Sequence, residues 1–269
     1  MSRIAETFAR LAERGEAALV PFLMAGDPSP DRTLALLRTA EASGADLVEL
    51  GIPFSDPTAD GPVLQRSAER ALRAGMSVTR VLELVREFRT ESSLPVVLFG
   101  YYNPIFRYGP ERFARDAARA GADGCLVVDL PPEEADELRR WTDRAGLDMI
   151  FLLAPTSGPE RIRALRRRAR GFVYYVSLTG VTGPRPTLPD ELEPAVRRVR
   201  HELSLPVGVG FGISSPEQAA RVSRFADAVV VGSAVMQRVE ESLGGGSSTA
   251  EVGRFLTELK EAMRKERRE

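Results

Sequence analysis

Histidine and lysine are nearly absent from this chain. Among its 269 residues there is one His, His201, and there are two Lys, Lys260 and Lys265, both near the C-terminal end. A His-rich metal site therefore has no ligands to draw on, and no metal site is expected. A Ser-His-Asp relay has only His201, which sits in the charged helical run EPAVRRVRHELS and reads as an ordinary surface residue. Schiff-base chemistry needs a buried Lys, and both lysines fall in ELKEAMRKERRE, which reads as a solvated tail. Cys125 is alone, so no disulfide is expected and a reducing, cytoplasmic setting fits. No apolar run approaches the roughly 18 residues of a spanning helix, and MSRIAETFARLAERG reads as an amphipathic helix rather than a signal peptide. A net charge of -1 gives no electrostatic case for nucleic acid or an anionic membrane. The chemistry left open uses Asp, Glu, Tyr, Arg, hydroxyls and backbone groups.

Eight short apolar or β-branched runs are present, at 17–25, 46–52, 95–101, 124–130, 148–154, 171–178, 206–212 and 227–233. Amphipathic stretches separate them, such as PDRTLALLRTAEASG, SVTRVLELVREFRTE, PERFARDAARAG and PEEADELRRWTDRAG. Many open on Ser, Pro or Glu and close on Gly, the start and stop signals of helices. Strand and helix alternating in this way predict a (β/α)8 TIM barrel. An open doubly wound sheet is the alternative, but no G-x-G-x-x-G opens a helix after the first strand. Residues 1–269 are read as a single barrel domain, with an extra N-terminal helix and extra short helices after strands 2 and 8. The connections at 53–77 and 179–190 are longer than a barrel needs, and such loops at strand C-termini carry barrel active sites. The stretch 243–251, LGGGSSTAE, reads as a linker, and the Arg-dense helix RIRALRRRARG as a solvated face.

One carboxylate is out of place. Glu49 lies inside the apolar run DLVELGI, where an ionised group costs several kcal/mol unless paired. Strand alternation puts Leu47, Glu49 and Gly51 on one face and Val48, Leu50 and Ile52 on the other. The second set suits the helix layer, so Glu49 points into the barrel near its mouth. Desolvation there suits a group that gives and takes a proton; the competing reading pairs Glu49 with an Arg at the rim. Asp60 follows in a loop able to fold over the mouth, although by itself ADG reads more commonly as an Asp-Gly turn. Two further turns, GFGISSPEQA after strand 7 and VGSAVMQRVEE after strand 8, carry Gly and open helices whose amides can hold a dianion. A buried carboxyl, a loop carboxylate and a phosphate grip point to a phosphorylated substrate whose own ring acts as electron sink. Another phosphate-binding barrel, such as a sugar-phosphate isomerase, and a non-catalytic barrel that activates a partner are the other readings.

The segments FLMAGDP, VELGIPFSDPTADGPVLQ, GYYNPIFRYG, VVDLPPEE, LLAPTS, YVSLTGVTG, GVGFGIS and VVVGSA occur in this order. Together they resemble the motif series of the tryptophan synthase alpha chain family, over almost the whole length. The resemblance implies retro-aldol cleavage of indole-3-glycerol phosphate to indole and glyceraldehyde 3-phosphate, with Glu49 as acid/base and Asp60 accepting the indole N–H. It also implies that Phe22, Tyr101, Leu126 and Tyr174 line the indole and glycerol pocket. Gly183, Gly212, Gly232 and Ser233 match the phosphate positions, and Thr182 meets Asp60 on loop closure. Pro184 and Pro186, just beyond, depart from what a moving loop suggests. No cofactor is implied in this chain; pyridoxal phosphate belongs to a partner beta chain in an alpha2–beta2 assembly. The rim segments Pro53, Phe54 and Pro57, then Asn103 to Phe106, then Pro131-Pro132 read as the docking face.

Overall fold

The computed structural model describes residues 1–176, 189–210, 212–244 and 248–267. The chain runs α1 (Arg3–Glu13), β1 (Ala18–Met24), α2 (Pro30–Ala42), β2 (Val48–Gly51), α3 (Pro62–Arg73), α4 (Val78–Phe88) and β3 (Val96–Gly100). It continues α5 (Tyr102–Tyr108), α6 (Pro110–Ala120), β4 (Gly124–Val127), α7 (Asp136–Ala145), β5 (Asp148–Leu153), α8 (Pro159–Leu165) and β6 (Val173–Val176). The last elements are α9 (Leu192–Leu203), β7 (Val207–Gly210), α10 (Pro216–Ser223), β8 (Ala228–Val231), α11 (Ser233–Glu241) and α12 (Ser248–Glu266).

Among the described residues, the eight strands are parallel and close in chain order, β8 pairing back onto β1. Each lies within one of the expected runs, and the expected (β/α)8 barrel is what forms. Outward-facing Val48 and Leu50 are fully buried under the helices, and burying each such side chain contributes about 1.5–3 kcal/mol. The expected extra helices are α1, α3 between β2 and α4, and the pieces after β8. Two elements differ from the sequence reading. The motif at 101–109 holds a short helix, α5, whose Pro104 sits in the first turn, where a missing N–H costs nothing. The Arg-dense helix stops at Leu165, before Arg166, Arg167 and Arg170 would stack like charges at helical spacing.

The N-terminal end of the barrel is closed by α1. Ser2 caps it, accepting from the amide of Ala5 at 3.3 Å, and Ile4, Phe8 and Leu11 bury one face. Two polar contacts tie the cap down: Ser2 Oγ donates to Asp148 at 2.5 Å and Arg3 Nε to Asp123 at 2.6 Å. Arg89 meets the other oxygen of Asp123 at 3.0 Å.

The sequence reading of the lysines is half wrong. Lys260 is not solvated: it is 3% exposed, and its Nζ donates to Asp46 at 2.7 Å and to the carbonyl of Ala17 at 3.2 Å. A long amphipathic helix, α12, lies flat on the barrel and carries that ammonium to the start of β1. His201 is exposed on α9, as expected. On α7, Trp141 is half-buried between the guanidinium groups of Arg140 and Arg144, at 4.6 and 4.9 Å from its ring centre. Among the described residues no helix is long and apolar enough to cross a membrane.

Candidate active site

Strand β2 delivers Glu49. Its Cα partners are Phe22 on β1 and Val97 on β3, so these three side chains share the inner face. Glu49 is 1% exposed, and its Oε1 has no hydrogen-bond partner among the described residues. Among the described residues no Arg pairs with it, so nothing described supports the rim ion pair as an account of this residue. Burial alone pushes its carboxyl up to about 8, so the neutral acid predominates at pH 7. Tyr174 of β6 lies close enough that burial, and then the Glu49 charge, raise its hydroxyl well above the ordinary tyrosine range.

Asp60 approaches from the other side of the cleft. It sits two residues before α3, so it is at once a turn residue and a site residue, and it too is buried. Burial pushes its carboxyl up to about 6, against a hydrogen bond from the Tyr101 hydroxyl that favours the charged form. That hydroxyl also accepts the amide of Ala59 at 3.0 Å, and Gln65 Nε2 donates to the carbonyl of Asp60 at 2.8 Å. The aromatic ring of Phe54 packs on Tyr101 with centres 5.5 Å apart. The loop is thus held at three points.

The two carboxyls line one cleft. Phe22, Glu49, Asp60, Tyr174, Gly212, Gly232 and Ser233 all line it. Phe22 meets Phe99 edge-on at 5.2 Å, and the absence of a side chain at Gly51 makes room: a Cβ there would come within 2.5 Å of the Phe22 ring. At the opposite end, Gly212 has φ +86°, a conformation few other residues adopt without strain. Beyond it Ser214 donates both its amide and its hydroxyl to Gln218 Oε1, at 2.8 and 3.2 Å, folding the turn onto α10. Gly232 caps α11, its carbonyl accepting from the amides of Val235 at 2.9 Å and Met236 at 3.0 Å, so the first-turn donors without an acceptor in the helix are the amides of Ser233 and Ala234.

Two expected site residues stand apart from the cleft wall. Tyr101 is buried behind the Asp60 loop, and Leu126 is buried in the barrel on β4, paired in register with Phe99 and Ile150. Thr182, Gly183, Pro184 and Pro186 lie outside the described residues. The sequence reading missed Leu64, Phe99, Ile213, Ser214, Val230 and Ala234, which the cleft also presents. Alternation along the run 95–101 puts Phe99 on the same face as Tyr101, but that alone does not separate a cleft residue from core. Among the described residues no group of three or more His, Cys, Asp or Glu side chains is arranged to hold a metal ion.

The fold and site define a class: a (β/α)8-barrel enzyme whose cleft lies at the C-terminal ends of its strands, with Gly-bearing turns after β7 and β8 on its wall. Within that class the family model for the tryptophan synthase alpha chain matches residues 8–265. The tryptophan synthase alpha chain of Citrifermentans bemidjiense is 54% identical over 265 residues, covering 98% of this chain and 99% of that one. The crystal structure of tryptophan synthase subunit alpha from Legionella pneumophila superposes with a TM-score of 0.92 at 42% identity, covering 98% of each chain. A chain of the tryptophan synthase complex from Pyrococcus furiosus superposes with a TM-score of 0.83 at 38% identity, covering 91% of this chain and 98% of that one. This chain belongs to the tryptophan synthase alpha chain family, the lyase subunits that cleave indole-3-glycerol phosphate to indole and glyceraldehyde 3-phosphate.

Proposed function

We propose that Glu49 and Asp60 carry out this retro-aldol cleavage. The observation that carries the reading is the buried, unpartnered Glu49 Oε1, a neutral acid at the wall of a cleft with a second carboxyl opposite. The neutral Glu49 gives its proton to C3 of the indole ring, and the ring nitrogen becomes positively charged. Asp60 accepts the N–H and offsets that charge, and its intermediate affinity for a proton keeps it ionised at neutral pH. Glu49, now anionic, helps take the proton from the glycerol hydroxyl next to the scissile bond. The carbon–carbon bond breaks as the carbonyl of glyceraldehyde 3-phosphate forms, and the electron pair returns to the ring to leave neutral indole. Protons and electrons balance without an external oxidant or reductant.

Phe22 and Tyr174 serve as walls for the ring and the glycerol chain, with Phe99 beside them, while Gly212, Gly232 and Ser233 receive the phosphate. Tyr101 acts through Asp60, and Leu126 supports the wall from inside the barrel. Thr182 and Gly183 are proposed to complete the site from the strand-6 loop. Glu49→Gln should fold and bind substrate but lose about 10²–10⁴-fold in turnover, the usual range for a general acid–base. Asp60→Asn should be similarly impaired. Indole release by Glu49→Gln at the wild-type rate would remove Glu49 from the mechanism.

The proposal extends to a setting. Residues 1–269 work as one cytoplasmic domain, consistent with the buried Cys125 thiol, which burial pushes up to about 12 and so keeps unreactive. The partner is a tryptophan synthase beta chain in an alpha2–beta2 assembly, with pyridoxal phosphate in the beta chain. The support is a groove beside the mouth lined by Phe54, Ser55, Asp56, Met76, Asn103 and Arg107, together with Phe106, which is 59% exposed. Of the rim expected from sequence, Pro53, Ile105 and Pro132 are buried and contribute from beneath; Phe54, Pro57, Phe106 and Pro131 reach the surface.

A further inference from the structure

Behind the cleft wall three segments are joined by one charged network. Asp27, in the loop after β1, is fully buried. It accepts from Ser67 Oγ at 2.5 Å and from Arg70 through two bonds, Nε at 2.7 Å and Nη2 at 2.8 Å. The remaining arm of Arg70, Nη1, reaches Glu240 on α11 at 2.7 Å. Glu240 is gripped a second time by Arg66, with both bonds at 2.7 Å. Ser67, Arg66 and Arg70 all belong to α3.

Each of the three segments supplies a wall of the cleft. β1 carries Phe22, α3 starts two residues after Asp60 and carries Leu64, and α11 begins at the Gly232–Ser233 turn. A guanidinium that forks onto two carboxylates fixes direction as well as distance, which a single ammonium does not. We propose that Arg70 is a positioning residue for the cleavage. It locks the helix that presents Asp60 to the helix that opens the phosphate turn, with Asp27 as the fixed anchor and Glu240 as the arm on the phosphate side. This rests on the reading that the cleft binds a phosphorylated substrate at Gly212, Gly232 and Ser233.

The two arms predict different kinetic signatures. Loss of the Glu240 arm loosens α11 and so weakens phosphate binding, while Asp27 and Ser67 still hold α3 in place. Weakening Arg70 itself releases both sides. Arg70→Gln strips Asp27 of its buried partner and risks the fold, so Glu240→Gln and Arg70→Lys are the informative variants. Titration of sn-glycerol 3-phosphate into wild type and both variants, with thermal melts and steady-state cleavage of indole-3-glycerol phosphate, separates the outcomes. Wild type should bind. Glu240→Gln should bind at least threefold more weakly and raise KM by a similar factor, with kcat within twofold and a melt that, though lowered, stays well above the assay temperature. Arg70→Lys should add a fall in kcat of at least fivefold. If wild type binds and Glu240→Gln binds equally well with an unchanged KM, the positioning role is overturned. It is also overturned if every loss follows the fraction unfolded. If wild type itself does not bind glycerol phosphate, the phosphate reading of the cleft fails, and that result is distinct from the first two.

Discussion

Two carboxyls in one cleft titrate in the order the chemistry needs. Asp60 works ionised and is raised to about 6; Glu49 works protonated and is raised to about 8. The free-enzyme profile of kcat/KM should therefore rise through about pH 6 and fall through about pH 8, and Glu49→Gln should lack the alkaline limb in whatever activity remains. Glu49 also leaves a mark on stability. The unfolded carboxyl loses its proton near 4.5 and the folded one near 8. Across that window the folded state holds a proton that the unfolded state has released, so stability falls as pH rises, by about 1.4 kcal/mol per unit. Denaturant melts of Glu49→Gln should gain on wild type steadily from pH 4.5 to 8; parallel curves would show that the buried acid costs the fold nothing. Glu49 was legible in the sequence because a carboxylate inside a period-2 apolar run needs either an ion-pair partner or a use for its proton. Phe99 was hidden because a Phe in a strand reads first as core. Leu126 was legible as inward-facing, but which inward residues reach the cleft depends on the stagger of neighbouring strands, and no single strand shows it.

At the scale of elements, the strands were readable because parallel barrel strands are buried on both faces and appear as short apolar runs. Their ends were less so: the structure trims most runs by a residue or two, where pairing rather than hydrophobicity decides. The position of α12 was not legible. Its packing face is ordinary, and the partner of Lys260 is Asp46, 214 residues away. The same holds for Arg70, whose acceptors lie 43 and 170 residues away in sequence. Such pairings are products of closure, and no local pattern encodes them. Lys260→Met should destabilise the chain by about 3 kcal/mol, because Asp46 loses its partner while largely buried. The pair lies at the barrel end away from the cleft, so the folded fraction should keep its KM for indole-3-glycerol phosphate. Equilibrium unfolding and kinetics on the same sample check both halves.

For the whole molecule, the arrangement concentrates chemistry at one end and closure at the other. The mouth-side groove, part polar and part apolar, and the exposed Phe106 lie next to the Asp60 loop, so a partner seated there bears directly on the segment that aims the second carboxyl. A cognate beta chain should form a complex by sedimentation and raise cleavage at least tenfold, a gain of about 1.4 kcal/mol in transition-state stabilisation. A complex with unchanged cleavage would leave this chain a free-standing lyase. The outer ring carries one more feature with a practical side. Trp141 is the only tryptophan in the chain, clasped between two guanidinium groups on α7 and absent from the cleft wall. Its fluorescence should therefore report the detachment of α7 on unfolding and stay constant while substrate turns over. The substrate and the released indole carry the same ring as Trp141, so only the difference between their emissions would ride on that steady protein baseline.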